Sequence, residues 1–152
     1  MHKINNGRMI LAGIVTAVIL TILSDIDNGL LLAQGWADAL KALNLPALST
    51  KAIIAFNVAS VVAGLLSLWL YVAARPRLGA GPKTALTIAG VVWVFGWPMA
   101  MLPMAAIHVI SKSLATKACL LGILEIGISM LAGAAIYKEE TTASGKVSTA
   151  TA

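Results

Sequence analysis

The chain is expected to be all-α, an integral membrane four-helix bundle. Three observations predict this. Apolar residues make up 59% of the 152 residues and charged ones 11%, whereas a soluble domain usually carries about a quarter charged residues. Four apolar stretches each approach the roughly 20 residues that a spanning helix needs. Lys and Arg gather at the ends of those stretches, where they meet headgroups. At this length one compact unit is expected, with no separate soluble domain.

The first span covers residues 9–33 and is uncharged through Leu23, then interrupted by Ser24-Asp25-Ile26-Asp27-Asn28-Gly29 before Leu30-Leu31-Leu32 resumes. The second, 52–74, holds no charge and is expected to stop at Arg75-Pro76-Arg77, because proline and two cations oppose continuation. The third, 84–110, contains Pro98 and Pro103; membrane helices accept proline at a kink when neighbours satisfy the freed carbonyls. The fourth, 115–137, ends at Lys138-Glu139-Glu140. Residues 138–152 form a Thr, Ser, Ala and Gly tail with too little apolar surface to fold, so disorder is expected there. The connections are a long one over 34–51 with Trp36 and Pro46, a Gly- and Pro-rich one over 75–83, and a short turn around Lys112. Short links imply antiparallel neighbours.

Counting Lys and Arg sets the orientation. Seven (Lys3, Arg8, Arg75, Arg77, Lys83, Lys138 and Lys146) fall on the side of the termini, and four (Lys41, Lys51, Lys112 and Lys117) fall on the other. Both termini, including residues 1–8, are therefore expected in the cytoplasm. Lys3 and Arg8 ahead of an apolar run also match a secretory signal, whose removal would leave three spans. No small-x-small cleavage site follows promptly and the next residues are acidic, which favours retention.

A possible internal repeat has two readings. At an offset of 66, Leu48-Ser49-Thr50-Lys51-Ala52 aligns with Leu114-Ala115-Thr116-Lys117-Ala118, and Tyr71 with Tyr137. Two tandem helical hairpins would produce that pattern. Thr-Lys helix starts and terminal tyrosines are also common at membrane interfaces, which would produce it without duplication.

Charge inside the hydrocarbon costs about 2.5–3.5 kcal/mol on insertion scales, so intramembrane acids are functional candidates. Asp25, Asp27 and Glu125 qualify. From helix rise, Asp25 and Glu125 fall at similar depths in the outer half, about 25 and 20 Å from the cytoplasmic side. Asn28, Asn57 and His108 fall in the same layer, and with Asp25 and Glu125 they make up the candidate polar pocket. Asp25 and Asn28 share a helix face if the helix is regular, and Asp27 then points elsewhere. Alternatively, the Asp-Asn-Gly run ends the helix and the acids are surface turn residues. Glu125 lies well inside its span and must face protein or a wet cavity; a protonated carboxyl bonded across the bundle for packing alone is the competing explanation.

His108 could serve as a single axial ligand to haem or chlorophyll, but an interfacial histidine bonded to lipid or backbone is the simpler expectation, so no cofactor is assigned. Trp93 and Trp97, one turn apart, are expected to pack as a stripe. Gly13 with Ala17, Ala59 with Ala63, and Ser129 with Gly133 are small residues at four-residue spacing that allow helices to approach closely. Cys119, the single cysteine, reads as a packing residue. The net charge of +5 belongs to the span ends, so nucleic acid is not an expected partner. The sequence contains no metalloprotease helix motif, phosphate-binding glycine loop or cysteine pair, and no enzyme is expected.

Asn6-Gly7-Arg8-Met9-Ile10-Leu11-Ala12-Gly13, Arg75-Pro76-Arg77 with Gly81-Pro82-Lys83-Thr84-Ala85-Leu86, and Leu131-Ala132-Gly133-Ala134-Ala135-Ile136-Tyr137-Lys138-Glu139-Glu140 span nearly the whole chain. In these segments it resembles small uncharacterised four-span bacterial membrane proteins. The resemblance implies a bacterial inner-membrane location and this fold, and brings no activity with it. Two functions follow from the residues. The first is a bundle acting through helix contacts, with itself or with other subunits of a membrane complex. The alternative is a small proton- or cation-coupled transporter or channel using the outer carboxylates.

Overall fold

The computed structural model describes residues 5–137, and the predicted tail over 138–152 lies outside them. The described residues form helices joined by short irregular segments: α1 (Asn6–Ile26), a π-helical segment (Asp27–Leu31), α2 (Ala33–Ala42), α3 (Thr50–Leu78), α4 (Pro82–Gly96), α5 (Pro98–Ala106) and α6 (Lys112–Ile136). Four stretches are long and apolar enough to cross a membrane: Asn6–Leu31, Thr50–Leu78, Pro82–Ala106 and Lys112–Ile136. Each of these stretches starts where its sequence supplies a helix start signal. Asn5 caps α1 by accepting from the Arg8 amide at 2.9 Å, Ser49 caps α3, Ser111 caps α6, and Pro82 occupies the first turn of α4.

Two expectations need correction. The segment 34–51 is not a plain connection, since α2 occupies its first half. The second span does not stop at Arg75 either: α3 runs through Pro76 to Leu78 and ends at Gly79, whose φ of +84° suits glycine. Pro76 removes a single helix hydrogen bond, the one its amide would give to the Val72 carbonyl, within the last two turns of the helix. The third span is interrupted at Trp97, where Pro98 starts α5.

Helices α1, α3, α4 and α6 form an antiparallel ring in chain order, α1 also lying against α6. Close approach at α1 holds it together. A Cβ on Gly64 would strike the backbone of Ala17, and one on Gly133 would strike Thr16 and the carbonyl of Ala12. Gly13 faces Leu65 in the same seam. Of the other small residues, Ser129 is fully buried, Ala63 packs at the edge of the core and Ala59 is exposed. The core divides in two. One cluster is centred on Leu68, Tyr71, Ile126 and Met130, and the other, around Leu32, Ile110, Leu114 and Ala115, lies at the α2 end. Tyr71 and Tyr137, which the 66-residue offset aligns, meet edge to face at 6.5 Å. The helix starts do not share that offset, since Ser49 caps one and Ser111 the other.

The outside of the ring is apolar on nearly every side. Ile54, Phe56 and Val58 on α3, and Met99 and Leu102 on α5, each expose more than half of their surface. A water-soluble bundle confines its apolar residues to one stripe per helix, whereas helices apolar all round are those buried in a large protein or in a membrane.

Candidate functional site: a carboxyl pair at a helical bulge

At the α2 end of α1 the backbone changes from α to π geometry. The Leu32 amide reaches back to the Asp27 carbonyl at 2.8 Å, one residue further than an α-helix allows. The local sequence explains why the helix yields here: Asp27-Asn28-Gly29 combines two residues whose side chains compete for backbone groups with one that imposes no Cβ constraint. Asn28 does compete, donating from Nδ2 to the Ser24 carbonyl at 2.9 Å and to Ser24 Oγ at 3.2 Å. Bulges of this kind recur at functional sites.

Two acids meet at the start of the bulge. Thr16 lies against Gly133, and in the same antiparallel register the Glu125 side chain meets those of Asp27 and Ser24. Glu125 is 3% exposed and Asp27 9%. Were the two carboxyl groups to share a hydrogen bond it would contain a proton, because two carboxylates can only accept. With that proton gone, two anions would face each other in an apolar interior, the least favourable arrangement for neighbouring acids. Glu125 Oε2 is buried with no hydrogen-bond partner among the described residues, and Thr21 Oγ1, one turn before Ser24, is in the same condition. Ser129 contributes no bond to the carboxyl, as its hydroxyl donates to the Glu125 backbone carbonyl at 2.6 Å.

Aromatic rings close the pair off from the α4 side. Trp97 stacks on Gly122, one turn from Glu125, where any side chain would collide with the indole. Trp93 Nε1 donates to the Cys119 carbonyl at 2.8 Å. The expected tryptophan stripe therefore packs against α6, and Gly122 is what admits it.

The residues expected in the pocket separate. Glu125 is at the centre. Asn28 is exposed but tied to Ser24, and so stands one residue removed from Glu125. Asn57 is half-buried on α3, and from the Ala17–Gly64 crossing it lies about two turns toward the α2 end, level with Ser24. Asp25 is exposed on the outside of α1. His108 is exposed in the turn between α5 and α6 with φ of +60° and takes no part in the carboxyl site.

Asp27, expected to point away, is the acid that faces Glu125. The sequence held a signal for it: Gly13, Leu20 and Asp27 are seven apart, so the contact stripe of α1 runs straight to Asp27. Among the described residues, no three His, Cys, Asp or Glu cluster as a metal site would require. Comparison of the chain with protein-family models, curated proteins and solved structures finds no match. The functional reading therefore rests on this geometry alone.

Proposed function

We propose that the protein is a small proton-coupled membrane transporter or channel, and that Asp27 and Glu125 form its proton-exchanging site. The observation that carries this is the buried acid pair at the π-bulge, with one Glu125 oxygen left without a partner. A carboxyl placed only for packing gains by having every lone pair met, since an unmet buried polar atom costs about 1–3 kcal/mol. A site that must take up and release a proton cannot be tied down on all sides. The pair also has two states of very different charge, and conversion between them is a natural trigger for movement at the adjacent bulge.

The bilayer setting belongs to the same proposal: a bacterial inner membrane, crossed four times, with both termini in the cytoplasm. Four apolar helices of sufficient length and the excess of Lys and Arg on the side of the termini support it. The α2 end then faces outward. In proteoliposomes carrying the purified protein, an imposed pH gradient is expected to collapse faster than in empty vesicles, and Glu125→Gln is expected to return the rate to that of empty vesicles. Wild-type vesicles no leakier than empty ones, with or without added small solutes, would sink the proposal.

The other function, a subunit acting through helix contacts, draws support from the half of α3 at the α2 end, where Ile53, Ile54, Phe56 and Val58 contact little else in the chain. It predicts an assembly larger than one chain in mild detergent. A monomeric particle that still carries protons would separate the two readings.

A further inference from the structure

A chain of polar contacts leads from the buried pair to the bundle surface, and its last link is made by a helix with no buried residue of its own. Ser24, which meets the Glu125 carboxyl, accepts from Asn28 Nδ2. Asn28 Oδ1 in turn accepts from Trp36 Nε1 at 2.9 Å, across the whole π segment. Trp36 belongs to α2, and α2 contains no buried residue. It rests on the Leu114 side chain through Gly35, and on the apolar cluster through Trp36 and Ala39. An element with so few buried contacts is among the first to open.

An open groove runs along α2 and the segment after it, and Asn28, Gly29 and Trp36 form the end of it nearest the acids. Asn28 thus has the groove on one side and Ser24 on the other. Gly29 has open space around its Cα, so the backbone can turn there without a clash. The Trp36 bond holds the Asn28 amide, whose two donor contacts both go to Ser24 beside the pair.

We propose that α2 is a latch over the carboxyl pair, with the Trp36–Asn28 hydrogen bond as its catch, and that release of the catch opens the pair to the groove. This rests on the proton-exchange reading for its purpose but not for its test. The measurement is the rate at which the protonated carboxyl of the pair exchanges in D2O, read from its infrared carbonyl band in lipid vesicles and assigned by its loss in Glu125→Gln.

Trp36→Phe keeps the ring and removes the N–H. Exchange is expected to accelerate on the order of fivefold, the population change that one lost hydrogen bond produces. Asn28→Ala breaks the same link from the other side at an exposed position and is expected to accelerate exchange as well, which guards against misfolding of the Trp36 variant. Gln34→Ala breaks the Gln34–Asp38 bond within α2 and is expected to leave the rate unchanged. If both catch variants exchange at the wild-type rate, or if Gln34→Ala matches them, the latch is overturned. Faster exchange in the catch variants with no proton flux in proteoliposomes would keep the latch and remove the transport reading; normal flux with unchanged exchange would do the reverse.

Discussion

Polar groups from two helices meet at each end of this bundle, but the two meetings differ in kind. Near the chain termini the Arg75 guanidinium lies 4.9 Å from the centre of the Tyr137 ring and 5.7 Å from that of Tyr71, with Tyr71 Oη accepting from the Gly81 amide. Charge there is spread over two aromatic faces, and the helix carrying Arg75 stays α-helical to its end. Toward α2, two groups of like type are pressed together, the helix carrying one of them is bulged, and a carboxyl oxygen is left unmet. Opposite chemistries joined across a helix seam strengthen it. Like chemistries joined there lack that compensation, because two neighbouring acids disfavour each other's charge.

That contrast can be broken by substitution, and the largest effect is expected on activity. Replacing both acids, Asp27→Asn with Glu125→Gln, should reduce proton flux to that of empty vesicles, while thermal unfolding in detergent shifts by no more than about 1 kcal/mol, because neutral amides can bond without sharing a proton. A large loss of stability with the flux preserved would mean that the pair is structural. Arg75→Ala should behave in the opposite way, costing about 1–2 kcal/mol of stability through lost contacts with two rings and leaving flux per folded protein unchanged.

Two smaller effects sharpen the boundary of the site. Ser129→Ala removes a bond to the backbone of Glu125 and none to its carboxyl, so it should cost under about 1 kcal/mol in unfolding and spare the flux. Asp25→Asn should be the mildest, within about 0.5 kcal/mol and without effect on flux, since that side chain faces outward. Loss of flux in Asp25→Asn would move the site to the other face of α1.

The apolar runs and the need for Glu125 to be shielded from lipid are legible in the chain, because each depends on local composition or on the cost of one charge in an apolar run. The choice between Asp25 and Asp27 was harder. Counting from the acids themselves pairs Asp25 with Asn28, whereas counting from the packed small residues leads to Asp27. The second count depends on knowing which face of α1 is the packed one, and that is a property of α3 and α6. The role of Gly122 was hidden for the same reason, since nothing near it in sequence announces that Trp97 will lie across it.

By itself, then, the sequence determined how many long apolar helices form and roughly which residues they cover, since helix length and hydropathy are local properties. Only the tertiary structure decided that Asp27 and Glu125 meet, that the helix bulges just beyond them, and that Trp36 of α2 reaches Asn28. Those outcomes depend on the antiparallel register of α1 against α6, which is fixed by the fit of Gly133 against Thr16 and Gly64 against Ala17. Such a fit between distant residues is a matter of shape, and no local stretch of sequence encodes it.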